Sequence, residues 1–185
     1  LNMKLLTLTV LILTASCAAP EVESGPDTIQ LRSAISTALL GGDVTTAEMA
    51  AREAESTLPG DVVVALLAAE AHAASGNPNA AIASLDRAII VATTDELLRH
   101  AYRNRGSLYM QAGRPTEAFD DLQQAYELGD TSMALLRDLG AAAYGSGNFQ
   151  AARAAWEQLP DNDRKSVDTV VGPGFFLEKS VSINR

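Results

Sequence analysis

Few residues in this chain could do covalent or acid–base chemistry. Cys17 is the only cysteine among 185 residues, which excludes an intramolecular disulfide and a CxxC metal or redox site. His72 and His100 fall at different offsets in neighbouring helical segments, so we do not expect them to face each other. Asp120 and Asp121 would point about 100° apart on a helix, which does not suit paired acid/base catalysis. HExxH, GxSxG and Walker sequences are absent, and we predict no enzyme, no metal site and no cofactor.

The residues before Cys17 have the three-part layout of a secretory signal. Lys4 is followed by an apolar stretch over residues 5–14 and then by the small residues Ala15 and Ser16. The apolar stretch is too short to cross a bilayer, since a spanning helix needs about 20 apolar residues.

The sequence "LTASC" ending at Cys17 resembles a bacterial lipobox. That resemblance implies cleavage after residue 16, lipid on Cys17, and a lipidated tether over residues 17–27. Two or more acyl chains make a stable anchor. In lipoproteins, Ala18 after the cysteine, rather than Asp, implies an outer-membrane protein that faces the periplasm. The alternative is an ordinary signal peptide in which Cys17 is incidental.

Composition favours an acidic, all-α protein. The formal net charge of −9 gives no electrostatic support to nucleic-acid binding. Aromatic residues make up only 5% of the chain while alanine is abundant, which favours closely packed helices over a β-sandwich.

Small residues recur along the chain at a fixed spacing. Gly42, Gly76, Gly113 and Gly147 are 34, 37 and 34 residues apart. After each glycine, apolar residues at spacings of five, four and three predict the buried stripe of a helix. The stripe residues are Ala47, Ala51 and Ala54; Ala81, Leu85 and Ala88; Ala118, Leu122 and Ala125; and Ala152, Trp156 and Leu159.

A second helix is predicted before each glycine, which ends it. Its packing residues are Leu31, Ala34, Ile35 and Ala38 in the first unit, Tyr102, Gly106 and Tyr109 in the third, and Leu136, Leu139, Gly140 and Ala143 in the fourth. We place the three extra residues of the 37-residue spacing, near "ATTDEL", in a loop between helices. His72 falls where Tyr109 sits in the third unit and is expected to be packed inside.

The sequences "YRNRGSLYMQAGRPTEAFDDLQQAYELGD" and "LRDLGAAAYGSGNFQAARAAWEQLP" resemble the tetratricopeptide repeat (TPR), although Arg105 stands where leucine is usual. The resemblance implies an all-α solenoid of antiparallel helix pairs over residues 28–166. Its units are 28–61, 62–95, 99–132 and 133–166. An alanine-rich four-helix bundle is the alternative, but it would not explain the repeated glycine-to-alanine spacing.

In the TPR family, the first helices of the units line a concave groove that binds protein. Arg32, Leu66, Arg103 and Arg137 recur at the repeat spacing and should form one row there. The arginines could bind acidic side chains or a C-terminal carboxylate of a partner. Alternatively, they pair with neighbouring Asp or Glu residues of this chain. The other candidate groove residues are His100, Met110, Gln111 and Tyr144.

The tail at residues 167–185 shows no continuous helical period, and we predict no clear capping helix there. Its apolar residues, among them Phe175 and Phe176, are expected to fold back over the last unit, because an exposed apolar cluster promotes aggregation. The alternatives are that the tail folds into the groove or that it docks on a partner.

These patterns together predict a non-enzymatic lipoprotein scaffold that binds a protein partner. The layout resembles the lipoproteins that assemble tight-adherence (Tad/Flp) pili, and also pilotins, which implies a secretin or another pilus component as partner. The alternatives are an adaptor of cell-wall enzymes and an unlipidated, secreted binding module. The membrane would be reached through the lipid anchor, and no nucleic acid would be bound.

Overall fold

The computed structural model describes residues 26–172 and 175–176. The signal segment 1–16, Cys17 and most of the tether lie outside the described residues, as does most of the tail. The chain divides into two compact units, Leu1–Gln30 and Leu31–Arg185. Of the first unit, only the beginning of helix α1 is described.

The described residues form helices and no strands, which confirms the all-α prediction. In chain order the helices are α1 Pro26–Leu40, α2 Val44–Thr57, α3 Val62–Ala74, α4 Pro78–Val91, α5 Asp95–Gln111, α6 Pro115–Glu127, α7 Met133–Gly145, α8 Phe149–Trp156 and α9 Asp161–Val171. Within this part of the chain, none of the helices combines the length and apolarity that a bilayer crossing requires.

The helices pack as consecutive pairs around small side chains. Helix α3 packs most extensively on α4, α5 on α6 and α7 on α8. All twelve residues of the predicted stripe on α2, α4, α6 and α8, extended to Leu159, are 0–4% exposed. Alanine at these crossings lets helix backbones approach closely, so the pairs form tight antiparallel units.

The four turn glycines have the predicted conformation. Gly42, Gly76, Gly113 and Gly147 have φ between 70° and 82°, a left-handed conformation that residues with a Cβ rarely adopt. The residue after Gly42, Asp43, donates its N–H to the carbonyl of Ala38 at 2.9 Å. This is the Schellman arrangement, which ends one helix so that the next can begin two residues later.

The prediction that the three extra residues lie in a loop is wrong. Only residues 92–94 separate α4 from α5, and α5 is 17 residues long where α3 and α7 are 13. Thr94 caps α5 by accepting the N–H of Leu97, and Asp95 and Glu96 occupy the first turn. These side chains stabilise a helix N-terminus, so the insertion lengthens α5 by about one turn.

Two further expectations need correction. Helix α9 follows the fourth pair, although no capping helix was predicted, and it begins at Asp161, inside the range assigned to the fourth unit. Val167 and Val171 of α9 pack on the last core cluster together with Phe175 and Phe176, so the described part of the tail does fold back.

Ala34 was expected to be packed but is exposed. The equivalent residue of the third unit, Arg105, contacts the preceding helix pair through Asp86. Ala34 makes no such contact, because no helix pair is described before α1.

Arg105, which replaces the usual leucine, is held by two carboxylates. Its Nε and Nη2 donate to both oxygens of Asp121 at 2.7 Å, and its Nη1 donates to Asp86 at 2.5 Å. The guanidinium also lies 5.7 and 5.8 Å from the ring centroids of Tyr102 and Tyr109. Hydrogen bonding to Asp121 raises the pKa of Arg105 above its usual value. One side chain therefore joins α4, α5 and α6.

His72 is packed inside, as predicted, and is 4% exposed. Its Nε2 lies 3.4 Å from Oε2 of Glu55, and its Nδ1 lies 3.9 Å from Glu48. Glu55 also accepts hydrogen bonds from Ser84 and Arg87 of α4. These contacts connect the first helix pair to the second through polar side chains.

Candidate protein-binding groove

The predicted row of arginines lies on the first-helix face, the surface formed by α1, α3, α5 and α7 and continued by α9. Each arginine forms an ion pair with an aspartate at the start of the next element of that face. Arg32 Nε and Nη2 lie 3.1 and 2.5 Å from Asp61. Arg103 Nη1 lies 3.2 Å from Asp130, and Arg137 Nη2 lies 3.2 Å from Asp163. The pairing with acidic residues of this chain, which the sequence left open, is present.

Two of the three aspartates, Asp61 and Asp130, are themselves held by backbone N–H groups at helix starts. Asp61 accepts the backbone N–H groups of Val63 and Val64 at 2.9 and 3.0 Å, and so caps α3. Asp130 accepts the N–H of Ser132 at 3.0 Å, next to the start of α7. Because Asp61 and Asp130 accept backbone N–H groups at a helix start and also bind a guanidinium, these two ion pairs tie successive units together. The role of the row in partner binding stays a prediction.

Burial alone would raise the pKa of Asp130. Hydrogen bonds from Ser132 and the charges of Arg103 and Arg99 outweigh that effect and hold the pKa below its usual value. The charged carboxylate therefore stabilises the fold above the unfolded-state pKa of about 3.9, and this stabilisation is lost as the pH falls through the lower, folded-state pKa.

We expect Asp130→Asn to lower the free energy of unfolding at pH 7 by about 1 kcal/mol. The amide oxygen can still accept the N–H of Ser132, but the ion pair with Arg103 is lost. Urea unfolding between pH 7 and pH 2.5 should show the difference from wild type vanishing in acid. Asp120→Asn is the matched control, since Asp120 is exposed. An Asp130→Asn effect that persists unchanged at pH 2.5 would contradict the ionic origin.

The other predicted groove residues are not gathered into one cluster. His100 and Gln111 are exposed, and Met110 packs against the core between the third and fourth units. Tyr144 belongs to an aromatic group at the end of the array, with ring centroids 5.3 Å from Phe149 and 5.8 Å from Phe175.

Two pockets open between elements of the first-helix face. One, of about 180 Å³, lies between α3 and α5 and is lined by Ala69, Glu70, Ala73, Leu85, Asn104, Ser107 and Leu108. The other, of about 450 Å³, lies between α7 and α9 and is lined by Arg137, Ala141, Tyr144, Trp156, Asp163, Ser166, Val167 and Val171. Helix α9 takes the place that the first helix of another unit would have. Short side chains of α9, among them Ser166, Val167 and Val171, line the larger of the two pockets.

Sequence reasoning missed both pockets, because they depend on the distance between helices that are far apart in the chain. For the pocket between α3 and α5, the available sequence signal was Glu70, which stands among alanines of α3. Small neighbouring residues leave space beside a polar side chain. Among residues 26–172 and 175–176, no group of three or more His, Cys, Asp or Glu side chains is arranged to hold a metal ion.

A tetratricopeptide repeat family model matches residues 109–170, which include much of the two segments that carry the sequence resemblance. The described chain is a TPR array in fold, and TPR domains are protein-binding scaffolds. No curated protein is similar enough in sequence to count as a relative.

Solved structures support the same fold. The MamA protein is 24% identical, with a TM-score of 0.62 over 75% of this chain and 73% of its own. A tetratricopeptide repeat protein from Parabacteroides merdae is 19% identical, with a TM-score of 0.66 over 82% of this chain and 59% of its own. A thermophilic TPR protein from Thermus thermophilus is 22% identical, with a TM-score of 0.58 over 81% of this chain and 82% of its own.

Proposed function

We propose that this protein is a non-enzymatic scaffold that binds a protein partner along its first-helix face. The observation that carries the proposal is the pair of pockets between successive elements of the first-helix face, one of them mostly apolar and about 450 Å³ in volume. Pockets spaced along one face suit an extended segment that places a side chain in each.

A substitution that fills the larger pocket tests this proposal. We expect Ala141→Glu, which places a longer, charged side chain beside Tyr144 and Trp156, to weaken partner capture at least about tenfold, since it occupies the space that a partner's side chain would fill. Ala154→Glu is the matched control, because Ala154 is exposed on α8 and lines a pocket with α6 instead. Equal partner capture by both variants in pull-downs would contradict binding at this face, provided that circular dichroism shows both to be folded.

The proposed location is the periplasmic side of the outer membrane, with Cys17 as the lipid attachment point. The lipobox-like sequence "LTASC" and Ala18 support it. Mass spectrometry of the mature N-terminus tests it directly. A diacylglycerol-modified Cys17 is expected, and an unmodified terminus beyond Cys17 would instead support the secreted binding module.

The proposed process is assembly of an envelope machine such as a Tad/Flp pilus, with a secretin or another pilus component as partner. The lipid tether proposed for Cys17, combined with a short protein-binding array, supports this reading. Co-purification from detergent-solubilised envelope, with wild type compared against Ala141→Glu, should recover pilus components. Recovery of peptidoglycan synthases or hydrolases in their place would favour the alternative, an adaptor of cell-wall enzymes.

A further inference from the structure

The pocket between α3 and α5 differs in chemistry from the rest of the first-helix face. Glu70 of α3 stands at its wall, with Asn104 and Ser107 of α5 opposite and Leu85 and Leu108 at its base. Its volume of about 180 Å³ equals that of about six water molecules at ~30 Å³ each. The pocket therefore has room for one long side chain.

Glu70 carries a charge that the described part of the chain does not neutralise. It is exposed, and no ion pair or hydrogen bond to another described residue involves its side chain. Along the same face, Arg32, Arg103 and Arg137 are each paired with an aspartate. At the α3 position of that row the residue is Leu66, so α3 contributes no arginine to the row.

We propose that this pocket binds a lysine or arginine side chain of the protein partner, and this inference rests on the proposed function. Glu70 would pair with the cation, while the amide oxygen of Asn104 and the hydroxyl of Ser107 accept its remaining N–H groups. Leu85 and Leu108 would contact the aliphatic stem, as apolar surface does around long basic side chains. The chain's net charge of −9 also favours association with a basic segment.

This assignment reverses the charge expected of the ligand. The arginine row pointed to an acidic partner, but its guanidiniums already bind carboxylates of this chain. An acidic ligand would have to displace Asp61, Asp130 or Asp163, whereas a basic ligand meets a carboxylate that is already available.

Selection from a phage-displayed library of random peptides, each about twelve residues long, on the immobilised full chain tests the inference. Wild type is expected to enrich lysine or arginine at one position, Glu70→Gln to lose that enrichment, and Glu53→Gln to keep it. Glu53 is the matched control because it is an exposed glutamate on α2, away from the pocket.

The best peptide selected by wild type allows a sharper measurement. By calorimetry, its Kd should rise at least about tenfold with Glu70→Gln, as expected for loss of a charged hydrogen-bond partner, and stay unchanged with Glu53→Gln. Replacing the basic residue of the peptide with norleucine should weaken its binding to wild type by the same factor. Against Glu70→Gln the same replacement should weaken binding no further, because the carboxylate that the basic residue would pair with is already gone.

Four outcomes are decisive. Peptides that bind without lysine or arginine preference but are lost with Ala141→Glu would overturn this inference and leave the proposed function standing. Peptides enriched in acidic residues would likewise overturn it in favour of the arginine row. No peptide enriched over an empty surface, or binding that neither Glu70→Gln nor Ala141→Glu changes, would overturn both.

Discussion

Replacing Arg105 with alanine is expected to lower the free energy of unfolding by about 3–5 kcal/mol, because it leaves a buried carboxylate without its counter-charge. The Asp121 side chain is only 7% exposed and takes both of its short hydrogen bonds from this guanidinium. Asp86 loses a partner too, but it is about half exposed and regains water. Urea unfolding followed by circular dichroism measures the change.

A double substitution separates the charge from the packing. Arg105→Leu with Asp121→Leu should be close to wild type in stability or above it, because it removes both buried charges together and restores the leucine of the TPR pattern. Arg114→Ala is the matched control: Arg114 also contacts Tyr109 and a carboxylate, that of Glu117, but both charged groups are nearly half exposed. If Arg105→Ala costs no more than Arg114→Ala, the ion pair does not stabilise the fold as argued.

Replacing Gly140 with alanine is expected to cost about 2–3 kcal/mol, despite alanine's higher helix propensity, because the added methyl group overpacks the crossing of α7 and α8. A Cβ at this position would lie 2.2 Å from Nε1 and 2.4 Å from Cε2 of Trp156. The indole cannot easily move, since its N–H donates to the carbonyl of Arg137 at 3.1 Å.

Trp156 is the only tryptophan, so its fluorescence during urea unfolding reports this crossing directly. Gly60→Ala is the matched control, since a Cβ there meets nothing within 4 Å, and it should change stability little. Circular dichroism follows the variants that lack Trp156, because they have lost the fluorophore. In the Gly140→Ala/Trp156→Leu pair the two losses should be less than additive, because leucine removes the ring that the methyl group meets. Strict additivity would mean that the two residues are not in conflict.

The repeat spacing predicted the fold because each unit repeats the same packing problem. Alanines at spacings of four and three can only be buried if two helices cross closely, and the turn glycines allow the reversal that brings them together. The missed cap has an equally physical cause. Helix α9 is mostly polar, and its apolar contacts come chiefly from Val167 and Val171, four residues apart, which is a weak sequence signal for a helix.

The site was less predictable because charge pairing depends on residues distant in the chain. The sequence showed that Arg32, Arg103 and Arg137 share a row, but Asp61, Asp130 and Asp163 lie 26 to 29 residues later and become neighbours only when the next unit docks. Arg105 could have been recognised: a charged residue in an apolar slot requires a buried partner, and Asp121 lies beside the core residue Leu122.

The ion pairs at the unit boundaries have a consequence for how the array unfolds. Arg32–Asp61, Arg105–Asp86, Arg103–Asp130 and Arg137–Asp163 each cross from one helix pair to the element that follows or precedes it. In a linear array, stability is the sum of what each unit contributes alone and what each boundary adds. A bond that exists only when neighbours are docked strengthens the boundaries. Loss of one unit therefore weakens the next, and the array favours cooperative unfolding over unzipping from an end.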